Sequence, residues 1–184
     1  MRQPQGLFTP YDFTEPRGVP DASTPARAAA VAFENRVRLH EREHGAAFAA
    51  DGRLILEKVG EPNSIEYDDG ELERMHGLVF THNHPSGASF SVADVKLAAR
   101  IGLSELRAVG PQFRYILTPG PDGWVPSSAV DGAYLGALEQ ARRIVDDLVL
   151  RQGLRPASAS SELMHRGWVE FARKAKIAYT RQNS

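Results

Sequence analysis

The chain has 184 residues, of which 42% are hydrophobic, and a formal net charge of -1. That length supports one hydrophobic core but not two large domains, and the near-neutral charge gives no global attraction to nucleic acid or to acidic membranes. Cysteine is absent, which excludes disulfides, zinc ribbons and thiolate nucleophiles and leaves His, Asp and Glu to build any tight metal site.

The start, Met1 to Gly18, lacks the basic residues and apolar run of a signal peptide, and no stretch approaches the roughly 20 apolar residues of a membrane span. A soluble cytoplasmic protein is expected. Residues 1–24 carry Pro4, Pro10, Pro16 and Pro20 with little apolar periodicity and read as an extended arm. Thr24-Pro25 offers an N-cap followed by proline at the first helical position, and Ala29, Phe33, Val37 and His40 recur at helical spacing, which predicts a helix over 25–42. Beyond Gly45, the apolar run to Ala49, the Asp51-Gly52 turn and Arg53 to Leu56 predict a β-hairpin. Residues 60–76 hold Glu61, Glu66, Asp68, Asp69, Glu71 and Glu73 with Arg74 as the only base, the composition of a solvated excursion.

A buried strand over 77–81 follows and runs into His82-Asn83-His84-Pro85. Residues two apart on a strand share a face, so both imidazoles project together. Ser91 can cap a helix over 92–104 that brings in Asp94, its apolar face formed by Val95, Ala98, Ala99 and Gly102. Two imidazoles and a carboxylate fit the ligand set of a catalytic zinc, which leaves the fourth position to water, and a water-bearing ion implies hydrolysis. One zinc ion per chain is expected, because only this ligand set converges. Ser91 and Asp94 also read as a plain capping box, and the two roles are compatible. His40, His44, His76 and His165 lack any comparable pattern and read as surface or structural residues.

Strands over 106–109 and 114–117 bracket the Gly110-Pro111 turn, and Trp124-Val125 offers an edge. Beyond Ser127 the pattern is helical throughout: Tyr134, Leu138, Ala141, Val145 and Leu148 form one stripe, and Met164, Trp168, Phe171, Ala175 and Tyr179 another, separated by Pro156 and the serines at 158, 160 and 161. Arg173, Lys174, Lys176 and Arg181 fall on the second of these helices as a basic face able to touch nucleic acid, although such a face is more often simply solvated.

The string from His82 to Asp94, HxHP followed by Ser-x-x-Asp, resembles the JAMM/MPN (JAB) zinc metallopeptidases, and HNHPSG is especially similar to the RadC-like branch and to JAMM-like domains of phage and mobile elements. The resemblance covers residues 25–126. It departs from the family at one point: six residues, Pro85 to Phe90, separate His84 from Ser91, where seven are common. It implies an α/β fold with a mixed central sheet flanked by helices, of cytidine-deaminase-like architecture; the arm 1–24 and the C-terminal helical pair over 127–184, read from the residues alone, lie outside it. It also implies a general base upstream, for which Glu43, directly before the first strand, matches the family's pattern better than Glu34 or Glu41. Ser91 would then stabilise the oxyanion, and His82, His84 and Asp94 would hold the zinc. The expected substrate is a peptide or isopeptide at the tail of a ubiquitin-like protein, with the acidic excursion lying where the family often contacts substrate. Two rivals stand beside this reading. A RadC-like or phage-associated metal-binding domain would serve a nucleic-acid-linked or assembly role; a zinc nuclease or lactamase-type hydrolase fits less well, because the HxHxDH pattern is absent.

Overall fold

Thr24 and Pro25 open the first helix. In the computed structural model, which describes residues 18–184, α1 spans Pro25–Val37 and the Thr24 hydroxyl accepts the Arg27 amide at 3.2 Å, satisfying one of the donors a helix start leaves unpaired. The helix ends short of the expected residue 42. The carbonyls of His40 and Arg42 are taken by the Asn83 side chain instead of by a further helical turn. Residues 1–17 of the proline-rich arm lie outside the described residues. The rest of the arm docks: Gly18 bridges to Gln182, and Asp21 pairs with Arg27 at 2.7 Å.

The predicted hairpin forms from β1 (His44–Phe48) and β2 (Leu54–Val59), with a register shift between Ala47 and Phe48. Its turn places Gly52 at φ +87°, a conformation costly for residues with a Cβ. The segment expected to be a solvated excursion contains a helix, α2 (Asp69–Arg74). Asp68 and Glu71 close a capping box at its start, so two of the six carboxylates act structurally. There follow β3 (Val79–Asn83), α3 (Val92–Ile101), β4 (Glu105–Val109) and β5 (Phe113–Thr118), each close to its expected place. Trp124-Val125 forms no strand; the Trp124 indole N–H donates to the Leu103 carbonyl at 2.7 Å and the ring packs on the core.

The C-terminal region begins as expected, with α4 (Val130–Arg151) and α5 (Ala159–Ala175). It does not stay helical. Lys176 turns the chain with φ 54°, and β6 (Ala178–Asn183) then pairs antiparallel with β5. Tyr179, assigned from its spacing to the α5 stripe, lies on β6, and so does Arg181. The sheet order is β2-β1-β3-β4-β5-β6, with β3 and β4 parallel and every other pair antiparallel. Among the described residues the fold is therefore α/β with a six-stranded mixed sheet. No described helix is long and apolar enough to cross a membrane.

Side-chain alternation gives the sheet two unlike faces. Phe80, Leu106, Ala108, Phe113, Tyr115 and Leu117 join the main core with α3, α4 and α5. The opposite face, under α1, combines a small apolar cluster around Phe33, Val37 and Phe48 with a buried ionic network. There Glu34, fully buried, accepts from Arg107 at 2.6 Å, Arg114 at 2.7 Å and Thr81 at 2.9 Å, and Arg107 also reaches Glu105. Glu34 is thus the anchor of α1 on the sheet, on the side away from His82.

Candidate metal centre

β3 and β4 are joined by the crossover through α3, so the C-terminal end of β3 and the first turn of α3 are neighbours, the usual place for a site in a sheet with parallel strands. His82 is the last residue but one of β3, with its ring stacked on Phe80 at 5.4 Å between centroids. His84 stands just past the strand, and Asp94 lies in the first turn of α3. Their ligand atoms converge: His82 Nε2 is 2.8 Å from His84 Nε2 and 3.6 Å from Asp94 Oδ1, and His84 Nε2 is 3.5 Å from Asp94 Oδ2. Among the described residues, this is the group of three whose donor atoms all lie within 4.8 Å of one another.

Geometry and donor chemistry both suit a divalent cation. Zinc–nitrogen bonds of about 2.0–2.1 Å arranged tetrahedrally give donor–donor edges of roughly 3.3 Å, and the three observed edges bracket that value. His84 Nδ1 donates to the Ala88 carbonyl at 3.0 Å, which fixes the tautomer that leaves its Nε2 lone pair facing the group. Two deprotonated imidazoles this close repel through their lone pairs unless a proton or a cation lies between them. The Ser91 hydroxyl accepts the Asp94 amide at 3.1 Å while Asp94 Oδ2 accepts the Ser91 amide at 2.7 Å. This capping box places the carboxylate at a helix N-terminus, which favours negative charge.

Electrostatics divide the roles. Burial alone would raise the Asp94 carboxyl, but His82, His84 and the Ser91 amide outweigh it and hold Asp94 well below the carboxylate range. Burial likewise works against a charged His82, yet the Asp94 carboxylate, with Glu43 adding to it, keeps that imidazole above its ordinary value. His84 is lowered by burial and then by His82 beside it.

The sequence candidates separate clearly. Glu43 is 8% exposed, and burial pushes its carboxyl up to about 7, with His82 opposing the rise and Asp94 adding to it. It therefore faces the His–His–Asp group, whereas Glu41 is exposed and Glu34 lies on the other side of the sheet. Ser91 is exposed at the rim. The basic residues expected to share one helix face do not: Arg181 is buried on β6 against Glu162 at 2.8 Å, and Arg173 pairs with Glu170.

Two residues that sequence reasoning passed over belong to the same region. Asn83, read as a spacer between the histidines, is fully buried; its Oδ1 accepts the His44 amide at 2.6 Å and its Nδ2 donates to the carbonyls of Arg42 at 3.1 Å and His40 at 3.3 Å. It clamps the segment that carries Glu43. The other is Tyr67, an aromatic residue set among acids in the supposed loop, which packs edge-on against Phe80 with centroids 5.9 Å apart. The C-terminal elements reach the site as well. Tyr179 bridges His165 Nδ1 at 2.9 Å and the Ser89 hydroxyl at 3.1 Å, and so braces the loop that orients His84.

Fold and site together define an α/β protein with a mixed sheet and a His–His–Asp group spaced for a metal ion. No family model, curated protein or solved structure matches the chain.

Proposed function

We propose that the chain is a zinc-dependent hydrolase of the JAMM/MPN type that cleaves an amide, with a peptide or isopeptide bond at the tail of a ubiquitin-like protein as its substrate class. The observation that carries this reading is the convergence of His82, His84 and Asp94 with a buried fourth group, Glu43, two residues before the cross-strand partner of His82. A structural cation needs only ligands. A buried carboxyl beside them, raised by burial to about 7 in the metal-free protein, is a group placed for proton transfer.

The order of parts supports the same reading: a glutamate before β1, HxH at the end of β3, and Ser-x-x-Asp opening α3. Zinc fits a site of three nitrogen and oxygen donors in a chain without thiolates. When bound, the ion supplies a Lewis acid and acidifies its water towards neutrality. Glu43 accepts the proton given up by the attacking water and returns it to the leaving amine. Ser91 uses its oxygen to accept the Asp94 amide, which leaves its O–H free to donate to the carbonyl oxygen as that atom gains charge. His84, aligned through Ala88, and Asp94, held ionised by the helix start, keep the donor set in position.

Incubation of the zinc-loaded protein with a panel of ubiquitin-like isopeptide conjugates, beside single- and double-stranded DNA, tests the proposal. Cleavage of a conjugate that disappears in Glu43→Gln while zinc is retained is the expected result. Attack on DNA alone, or a wild-type protein that takes up no zinc, overturns it.

A further inference from the structure

The Tyr67 hydroxyl is buried and finds no hydrogen-bond partner among the described residues. It lies against Gly45, where a Cβ would collide with it and with Ile65. Gly45 is the cross-strand partner of His82 and stands two residues after Glu43. The ring is fixed on one side by Phe80, the residue that stacks on His82, and on another by the Lys58 ammonium 5.4 Å from the ring centroid. A phenol so placed is not a mobile surface group. Its neighbourhood also keeps it protonated: burial first, then the carboxylates of Glu71, Glu43 and Asp94, hold it well above the usual tyrosine value, so it remains a donor at any working pH.

A buried donor without an acceptor is unfavourable and rare in folded proteins. Glu43 and Asp94 are close enough to act on Tyr67 electrostatically, yet neither accepts from it. Its place against Gly45, the cross-strand partner of His82, sets the hydroxyl beside the centre, where the oxygen of a bound substrate can accept from it. Resting on the hydrolase reading above, we propose that Tyr67 is a catalytic residue whose hydroxyl donates to the oxygen of the scissile carbonyl, sharing with Ser91 the stabilisation of its developing negative charge. Donors held in this way, out of water and already oriented, act more strongly on the transition state than on the ground state. On this account, the segment between β2 and β3 serves to deliver one phenol to the centre, and the glycine at position 45 leaves room for it.

Tyr67→Phe keeps the ring and removes only the hydroxyl. Acetohydroxamate, a small probe that pairs a metal-binding oxygen with hydrogen-bond acceptors, is titrated calorimetrically into the zinc-loaded wild-type and variant proteins. The expected result is binding weakened about 10-fold in the variant, with zinc content unchanged. The metal-free variant should be as stable as the wild type or more so, since it loses an unsatisfied polar atom and opens no cavity. Turnover of any conjugate the wild type cleaves should fall on the order of 10²-fold with little change in KM. Equal affinity for acetohydroxamate in the two proteins overturns the role of Tyr67 while leaving the hydrolase reading intact. A wild-type protein that binds no zinc overturns both.

Discussion

Asn83 accepts the backbone amide of His44 at 2.6 Å, so the residue between two of the proposed metal ligands is tied directly to the residue after the proposed base. Its amide nitrogen completes the clamp on the carbonyls of His40 and Arg42. Asn83→Ala leaves these groups without their partner and should cost about 2–3 kcal/mol of stability. Asn83→Asp should do no better, because the two carbonyls would then face a second acceptor. Urea denaturation of both variants checks the cost. In the zinc-loaded protein, Asn83→Ala should lose activity that is not lost again when the change is made on top of Glu43→Gln.

Zinc should bind at about one ion per chain, and a His82→Ala, His84→Ala double variant should bind none. Elemental analysis of untagged protein reads the stoichiometry. Thermal unfolding gives an independent measure: ligand at 100 times its Kd stabilises the folded state by about 2.7 kcal/mol, so added zinc should raise the Tm of the wild type and leave that of the double variant unchanged.

Glu43 sets a pH dependence of defined sign. Its carboxyl rises on folding from an ordinary value of 4.5 to about 7, so the folded state holds a proton that the unfolded state has released across that window. Stability of the metal-free protein therefore falls as pH climbs from 4.5 to 7, by up to about 3 kcal/mol from this group. The neutral amide of Glu43→Gln escapes the penalty. The variant should be more stable than the wild type at pH 8 and equal to it below pH 4, while hydrolysis by the zinc-loaded variant drops on the order of 10²-fold. A stability difference that is the same at both pH values would show that Glu43 does not titrate as described.

Glu34 should be the costliest carboxylate to remove on the α1 face. With Glu34→Ala, Arg107 and Arg114 lose their shared counter-ion inside the protein, a change that typically costs 3–5 kcal/mol when one partner of a buried pair is deleted. Chemical denaturation measures it. Zinc stoichiometry should survive, since the network lies on the opposite side of the sheet from His82.

Local signals carried much of the fold. Thr24-Pro25, Asp51-Gly52 and Ser91-x-x-Asp94 each specify their own geometry within a few residues, and the elements they punctuate lie close to where the sequence places them. The proposed ligands were legible for the same reason, being contained in 13 positions. What was missed depends on tertiary context. Ala178 to Asn183 shows no apolar alternation, and Lys176 adopts a left-handed conformation with no glycine to mark it; Tyr179 meanwhile falls by chance at helical spacing from Ala175. The cap of α2 was spelled out in Asp68-x-x-Glu71 but was hidden by the acidity around it. Asn83 and Tyr67 gain their meaning only from segments distant in sequence.

The antiparallel seam between β5 and β6 sets when the centre can be finished. All three proposed ligands and Glu43 lie in the first 94 residues, yet the Tyr179 hydroxyl that braces the His84 loop through Ser89 arrives with β6. During synthesis the donor set emerges early, on a sheet whose β5 edge is still bare, and an ion captured then meets a loop lacking one of its supports. Full rigidity waits until residues 178–183 have been made and added to the sheet. A chain cut after Ala175 would keep every proposed ligand but leave His84 on an unbraced loop, with Glu162 buried without Arg181 and the edge of β5 open to pairing with other chains.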